Sequence, residues 1–405
     1  MSYRTATTAH SRDLNRAAVF RLIGAAGPIA RTHIARRLGL SPATVTAVTR
    51  ELLDAGLVRV AERAPSNGGR PALLLELVGS AATAFGVKIA PDHLVGVRVN
   101  IEADVLDRFE LPFDAAAPNA IQRLGELLSH QFAESAGELP LLGVGLGVAG
   151  VFDALTRRLD SPLLGWQDVA LADVLQRDLG VPVFVENDVN TLAVAERLYG
   201  RGRDVEHFIT VTIGRGIGLG IIAGGDIYRG FRGGAGEFGH TTVADDGPTC
   251  TCGKRGCLEA LVSDPALVAS ARAAGILTRR QSIDRLRRLA EAEDSGARRI
   301  YAEAGAVLGR SVGNLVNVLG PELVLISGEG TQAWPHLEAS FDEAFRASLF
   351  PPLGDVVVEV DPWDDAKWAV GAATLVLRAT FTAPLDADRR GGRGHAERVP
   401  AEVVA

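Results

Sequence analysis

No stretch of this 405-residue chain sustains the run of about 20 apolar residues that a membrane-crossing helix requires. The opening MSYRTATTAHSRD lacks the apolar core of a secretory signal, so the expected location is the cytoplasm, with no membrane partner. Cysteine is scarce, and an odd count of three excludes a simple disulfide framework. Internal repeats and long low-complexity linkers are missing too, which argues against a solenoid. What remains, 47% hydrophobic and 22% charged residues, is the composition of a globular protein long enough for several domains.

Charge is unevenly spread within the net −7. Residues 1–80 hold 11 Arg against 5 acids, a net +6, so the remaining chain carries −13. A basic head on an acidic body suits a polyphosphate partner, although small basic domains are often merely soluble.

Apolar residues recur at helical spacing in LNRAAVFRLI, RTHIARRLG and SPATVTAVTRELLDAG, predicting three helices over 14–58. Leu57–Val60 and Ala72–Leu77 flank the polar turn Pro65–Pro71 as the strands of a β-hairpin wing do. From Thr83 the runs AFGVKIA, HLVGVRVN and VLDRFELPF predict consecutive strands, followed by a helix over 117–136 and a buried strand, LLGVGLGVA. Two glycine-rich strands, HFITVTIG and IGLGIIAG, precede the cysteines. Helices then run to about 320, before a strand ELVLIS and a closing helix over about 366–382. Residues 383–405 lack periodicity and read as a disordered tail.

In the head, Ala35, Gly39, Val45 and Val48 have helix-turn-helix spacing, with Ser41 as N-cap and Pro42 opening the second helix. Opposite the apolar Val45, Val48 and Leu52 lie Ala43, Thr44, Thr46, Ala47 and Arg50, short enough near the helix start to enter a major groove. Arg63 and Arg70 flank the wing turn, within reach of phosphates or a minor groove. The DNA-binding candidates are therefore Ser41, Ala43, Thr44, Thr46, Ala47, Arg50, Arg63 and Arg70, and the expected partner is double-stranded DNA. An interaction-only winged helix or a plain three-helix bundle is the competing reading.

All three cysteines fall within Cys250–Cys257 as C-x-C-x4-C, and His240 precedes them by ten residues. Three thiolates and an imidazole fill a tetrahedral zinc shell, leaving no open position, so a structural Zn2+ is expected on His240, Cys250, Cys252 and Cys257; free thiols are the bland alternative. Glu237 and Glu259 bracket this knuckle and could accept hydrogen bonds from sugar hydroxyls, though either alone reads as a surface charge.

GEFGH (Gly236–His240), C-x-C-G-x-x-G-C-x-E (Cys250–Glu259) and VENDVN (Val185–Asn190) make the chain resemble the ROK family of repressors and sugar kinases over about residues 14–380. The resemblance implies an α/β body of actin/hexokinase type with two lobes, carrying a winged helix-turn-helix head. The implied domains are residues 1–80 for the head, 81–190 with the helix 366–382 for one lobe, and 191–365 for a second lobe with the zinc knuckle and a dimerisation surface. It also implies that Asn187, Asp188, Glu237, His240 and Glu259 converge on a sugar in the cleft between lobes. Asp188 would match the kinases' general base. By themselves, Asn187 and Asp188 read as helix caps.

The family's kinases carry Asp-x-Gly-Gly-Thr after the first strand; here the segment is Lys88-Ile-Ala90-Pro91-Asp92. Proline donates no N–H, Ala90 restricts backbone approach, and Asp92 repels phosphate. The second phosphate-facing stretch is Gly214-Arg215-Gly216-Ile-Gly-Leu219-Gly220, with a cation for a hydroxyl; alone it also reads as a hairpin turn. Phosphoryl transfer depends on such positioning, so no ATP binding and no kinase activity are expected. The resulting reading is a sugar-responsive DNA-binding transcription regulator of repressor type acting on carbohydrate genes, a homodimer or homotetramer whose sugar or sugar-phosphate effector alters operator affinity. The alternatives are a sugar kinase with an added head and a regulator controlled by a protein partner. Arg215 favours a phosphorylated effector and the Asp245–Asp246 pair opposes one.

Overall fold

A computed structural model describes residues 8–63, 73–135, 139–362 and 364–382. The wing turn with Arg70, the expected disordered tail and the side chain of Arg63 lie outside what is described. Two compact units divide the chain: one runs to Thr191 and resumes at Trp368, and the other is Leu192–Lys367.

The first unit begins with the helices Thr8–Ala26, Arg31–Leu38 and Pro42–Asp54. Gly39 ends the second in the left-handed conformation, φ 63°, and the Ser41 hydroxyl accepts the Thr44 amide at 3.1 Å to start the third under Pro42. The strands Val58–Arg63 and Leu73–Leu77 pair antiparallel, and Ile29–Ala30 adds a short third strand that the spacing did not reveal. Ile34, Val45, Val48, Leu52 and Leu75 are almost completely buried, so the apolar stripe read from the sequence is the core of the head.

The same unit holds a five-stranded sheet in the order Val183–Asn187, Leu141–Val148, Thr83–Ile89, His93–Asn100, Val105–Pro112. Its first three strands are parallel and the rest antiparallel. The helix Asp365–Thr382 crosses it so closely that a Cβ on Gly145 would sit 1.8 Å from the Ala372 carbonyl, and one on Gly86 1.9 Å from that of Ala369. Glycine is needed there for close approach. On the other face, Phe85 stacks on Phe132 of the helix Ala120–Glu134, with ring centroids 4.3 Å apart. A small sheet of Val151–Asp153, Arg158–Ser161 and Trp166–Val169 escaped the sequence reading because strands of three or four residues carry little periodicity.

The second unit has a five-stranded sheet in the order Asp226–Ile227, Ile217–Ala223, Phe208–Ile213, Leu323–Ser327, Val357–Val360. Leu323–Ser327 is buried throughout, as its unbroken apolar run requires, whereas the edge strand Val357–Val360 is half exposed and went unread. The 25-residue helix Ser295–Leu319 packs along Trp334–Ser348, and Tyr301, Leu308, Val312 and Val316 share one buried cluster with Phe341 and Phe345. Burying each of these large side chains contributes about 1.5–3 kcal/mol.

Candidate functional site

On the head, Ala43, Thr46, Ala47 and Arg50 share one exposed face of the helix Pro42–Asp54, while Thr44 is half-buried and its hydroxyl lies 2.8 Å from that of Ser41. The face is anchored from behind by a residue the sequence reading passed over. Thr49 is fully buried, donates to the Val45 carbonyl at 2.8 Å, and accepts Arg31 Nε at 2.8 Å, which ties the two helices of the motif together. A polar residue on an apolar stripe, facing an arginine 18 positions upstream, was the available signal.

The turn after the first body strand closes on itself. The Ala90 amide donates to the His93 carbonyl at 3.0 Å, and the Pro91 and Asp92 carbonyls accept from Ala115 and Phe113. Pro91 has no N–H, and the Asp92 carboxylate lies 2.8 Å from His93 Nδ1. Lys88 sets its ammonium 4.2 Å over the centre of the Trp368 ring, a cation–π contact.

Asn187 ends the strand Val183–Asn187 and Asp188 opens the helix Asp188–Tyr199. Asn187 Oδ1 accepts the Asn190 amide at 3.1 Å and its Nδ2 donates to the Gly150 carbonyl at 3.0 Å; Asp188 Oδ1 lies 2.9 Å from the Val189 amide. The capping role read from the sequence is thus present at Asn187, whereas the bond at Asp188 is to the adjacent amide, and both side chains are half-buried.

In the second unit, the ligand atoms of His240, Cys250, Cys252 and Cys257 all lie within 4.8 Å of one another, a group able to hold a metal ion. The Cys252 and Cys257 sulfurs are 3.7 Å apart, and Cys250 Sγ lies 3.5 Å from His240 Nδ1. Zn–S bonds of about 2.3 Å and Zn–N bonds of about 2.1 Å at tetrahedral angles separate two sulfurs by about 3.8 Å and sulfur from nitrogen by about 3.6 Å. The donor set and spacing therefore fit zinc, and the sulfurs are too far apart for a disulfide. Burial, reinforced by the neighbouring thiols, pushes the Cys257 thiol up to about 11, while the Lys254 backbone amide pulls Cys252 down. Cys250 donates its amide to the Lys254 carbonyl at 2.7 Å, and Lys254 Nζ donates to the His240 carbonyl at 2.6 Å, so the loop backbone is tied to the histidine.

Glu237 Oε2 lies 3.9 Å from His240 Nε2, on the ring edge away from the cysteines. Partial desolvation raises its carboxyl above the usual carboxylate range, the His240 imidazole lowers it, and the Glu259 charge adds to the rise. Glu259 is half-buried at the start of the short helix Glu259–Val262. Its Oε2 accepts the Ile217 amide at 3.2 Å and its Oε1 the Thr251 hydroxyl at 3.4 Å, with Cys250 Sγ at 3.9 Å. Glu237, His240 and Glu259 thus cluster around one metal-binding group, while Asn187 and Asp188 belong to the first unit.

The ROK family model matches residues 85–379 and the MarR family model residues 14–65, the latter covering the helix-turn-helix. The chain belongs to the ROK family, with an actin/hexokinase-like α/β body and a MarR-type winged-helix head. It is 27% identical over 330 residues to the xylose repressor of Bacillus spizizenii, covering 81% of this chain and 85% of the relative. It is 29% identical over 384 residues to the DNA-binding transcriptional dual regulator NagC of Escherichia coli, covering 91% and 93%. Among solved structures, a ROK family transcriptional regulator described as a homologue of the E. coli MLC protein superposes with a TM-score of 0.81 at 26% identity, covering 92% of this chain and 97% of that one. A ROK family glucokinase from Streptomyces griseus, in complex with glucose and AMPPNP, aligns with 73% of this chain and 99% of its own, at TM-score 0.63 and 26% identity. The body is thus shared by regulators and kinases, whereas the regulators also match the head.

Proposed function

We propose that this chain is a cytoplasmic, sugar-responsive transcription repressor that binds operator DNA through its winged helix and acts as a homodimer or homotetramer. The observation that carries the reading is the capped helix Pro42–Asp54, which presents Ala43, Thr46, Ala47 and Arg50 outward on a chain similar to repressors along nearly its whole length. Glu237, His240 and Glu259 in one unit and Asn187 and Asp188 in the other are the groups assigned to the sugar or sugar phosphate. Zn2+ is the assigned metal; when bound by His240, Cys250, Cys252 and Cys257 it holds the knuckle that carries Glu259. We assign no phosphoryl transfer to the chain: the Ala90 amide is used within the turn, Pro91 has none to donate, and the Asp92 carboxylate would repel a phosphate.

The test is calorimetric titration of the zinc-loaded chain with xylose, N-acetylglucosamine, glucose and their phosphates, with MgATP alongside, followed by operator binding with and without the sugar that binds. Sugar binding lost in Glu259→Ala and in Asp188→Asn, together with a sugar-dependent change in DNA affinity, is expected. Sugar-dependent ATP hydrolysis would return the chain to the kinases.

A further inference from the structure

The turn Gly214–Ile217 joins two largely buried strands of the second unit, and backbone amides in such a turn attract anions. Two of those amides are taken by carboxylates of the same chain. The Arg215 amide donates to Glu329 Oε1 at 3.0 Å, and the Ile217 amide to Glu259 Oε2 at 3.2 Å. Glu259 arrives from the metal knuckle. Glu329 arrives from the far side, on a segment shaped to bring it there.

That segment is Gly328-Glu329-Gly330, directly after the buried strand Leu323–Ser327. Gly328 is left-handed, φ 96°, and a Cβ on it would lie 2.4 Å from the Ile213 carbonyl oxygen; one on Gly330 would lie 3.0 Å from the Ile213 carbonyl carbon. The two glycines press this backbone onto the end of the strand Phe208–Ile213, and Thr331 locks the bend by donating amide and hydroxyl to the Gly328 carbonyl. The Glu329 side chain then packs against the turn so tightly that a Cβ on Gly214 would meet its carboxyl carbon at 2.4 Å. The Gly214 carbonyl is also used, accepting the Asp264 amide at 2.7 Å.

We infer that Glu329 is a specificity-determining residue, an internal anion that occupies the Gly214–Ile217 turn and excludes phosphate groups from it. The inference rests on the reading that the body binds a sugar without a nucleotide, and names the residue that keeps the turn closed. A phosphate reaching the Arg215 amide must displace Glu329 and then face Glu259 and Asp264 as like charges. The Asp264 carboxyl already reports that field: burial and the Glu329 and Asp284 charges push it up to about 6. Without the Glu329 carboxylate, the Arg215 amide would be open to an incoming anion, close to an Arg215 charge that already acts on Asp264.

Inorganic pyrophosphate is the probe, titrated calorimetrically into full-length wild-type protein, Glu329→Gly and Glu329→Gln at fixed ionic strength. Wild type should bind weakly at most, and both variants should bind about tenfold or more tightly than the wild-type value or its upper bound. Adding Arg215→Ala to either variant should remove the gain, which places it at this turn. Glutamine keeps the size and removes the charge, so it decides the matter if the glycine variant does not fold. Binding to wild type as strong as to the variants, or folded variants that gain none, overturns the inference. The sugar titration of wild type is read separately: its failure would sink the sensor reading and leave the pyrophosphate result standing.

Discussion

Stripping the metal from the knuckle should destabilise the second unit while leaving the head intact. The loop Thr241–Leu258 has little regular structure; backbone bonds such as Val243 to Gly256, Cys250 to Lys254 and Leu258 to Thr241 and two isolated β-bridges shape it, and the four converging side chains are the further tie a metal would make. A ligand held a thousandfold above its dissociation constant adds about 4 kcal/mol to the folded state. A body the size of Leu192–Lys367 shifts its midpoint by about 2–4 °C per kcal/mol, so chelation should lower that transition by roughly 8–16 °C. Cys257→Ser should do the same without chelator, since it removes one ligand at a fully buried position. The sign with pH follows from Cys257. A thiol raised to about 11 is protonated at neutrality and must lose its proton to bind zinc, so affinity should rise at least about tenfold per pH unit between 6 and 8. Calorimetry with zinc analysis by mass spectrometry measures both. A chain shown to be metal-free that melts within a degree of the loaded one would refute the reasoning.

The other predictions are single substitutions. Ser41→Ala removes the acceptor of the Thr44 amide and should cost about 1 kcal/mol at that helix start, read as faster amide exchange over Ala43–Val45 and weaker operator binding. Arg50→Ala should cost about 1–3 kcal/mol of operator affinity and relax sequence discrimination; a uniform loss across sequences with a shallower salt dependence would make Arg50 a phosphate contact instead. Asp264→Asn addresses a carboxyl raised from 3.8 to about 6 in the folded state. A raised carboxyl contributes stability below its unfolded value and loses it as pH climbs through 6. The asparagine variant should therefore be the more stable at pH 8, by at most about 3 kcal/mol, with the gap closing towards pH 5; a gap constant with pH would show that the carboxyl is not perturbed. Gly145→Ala drives a Cβ into the Ala372 carbonyl and should cost about 4 kcal/mol or more, measured by denaturant unfolding.

Much of this was legible because the signals were local. Ser41, Pro42 and the apolar stripe at Val45, Val48 and Leu52 fix a helix whose start and buried face can be read within one segment. The knuckle was legible for the same reason, three cysteines and a histidine being chemically specific at short spacing. What went unread depends on contacts distant in sequence. Thr49 matters through Arg31, and Glu329 matters through a turn 114 residues upstream; in isolation each is an ordinary polar residue. The flanking Gly328 and Gly330 were visible, but only the Ile213 backbone shows why both must be glycine. The strand Val357–Val360 is four residues at a half-exposed edge, so neither alternation nor a long apolar run marked it.

The geometry of Glu259 connects the metal-binding group with the Gly214–Ile217 turn, and the proposed sugar site would draw on the same carboxylate. Its bonds to the Ile217 amide and Thr251 hydroxyl, at 3.2 and 3.4 Å, are long for a carboxylate, whose charge-assisted bonds run nearer 2.7–2.9 Å. Such weak partners leave acceptor capacity for sugar hydroxyls, and the nearby Cys250 ties the knuckle that carries the residue to the metal group. A sugar hydroxyl that takes the oxygens now facing Thr251 and Ile217 would compete with them, and binding would then loosen the knuckle, the turn or both. An effector changes operator affinity only through such a difference between two states of the protein; about 2.7 kcal/mol of coupling is needed for a hundredfold change. Thr251→Val, which deletes one competing donor at an exposed position, should therefore tighten sugar binding while reducing the sugar's effect on DNA affinity. If sugar affinity and induction both fall, Thr251 contributes to the bound sugar directly and the competition argument fails.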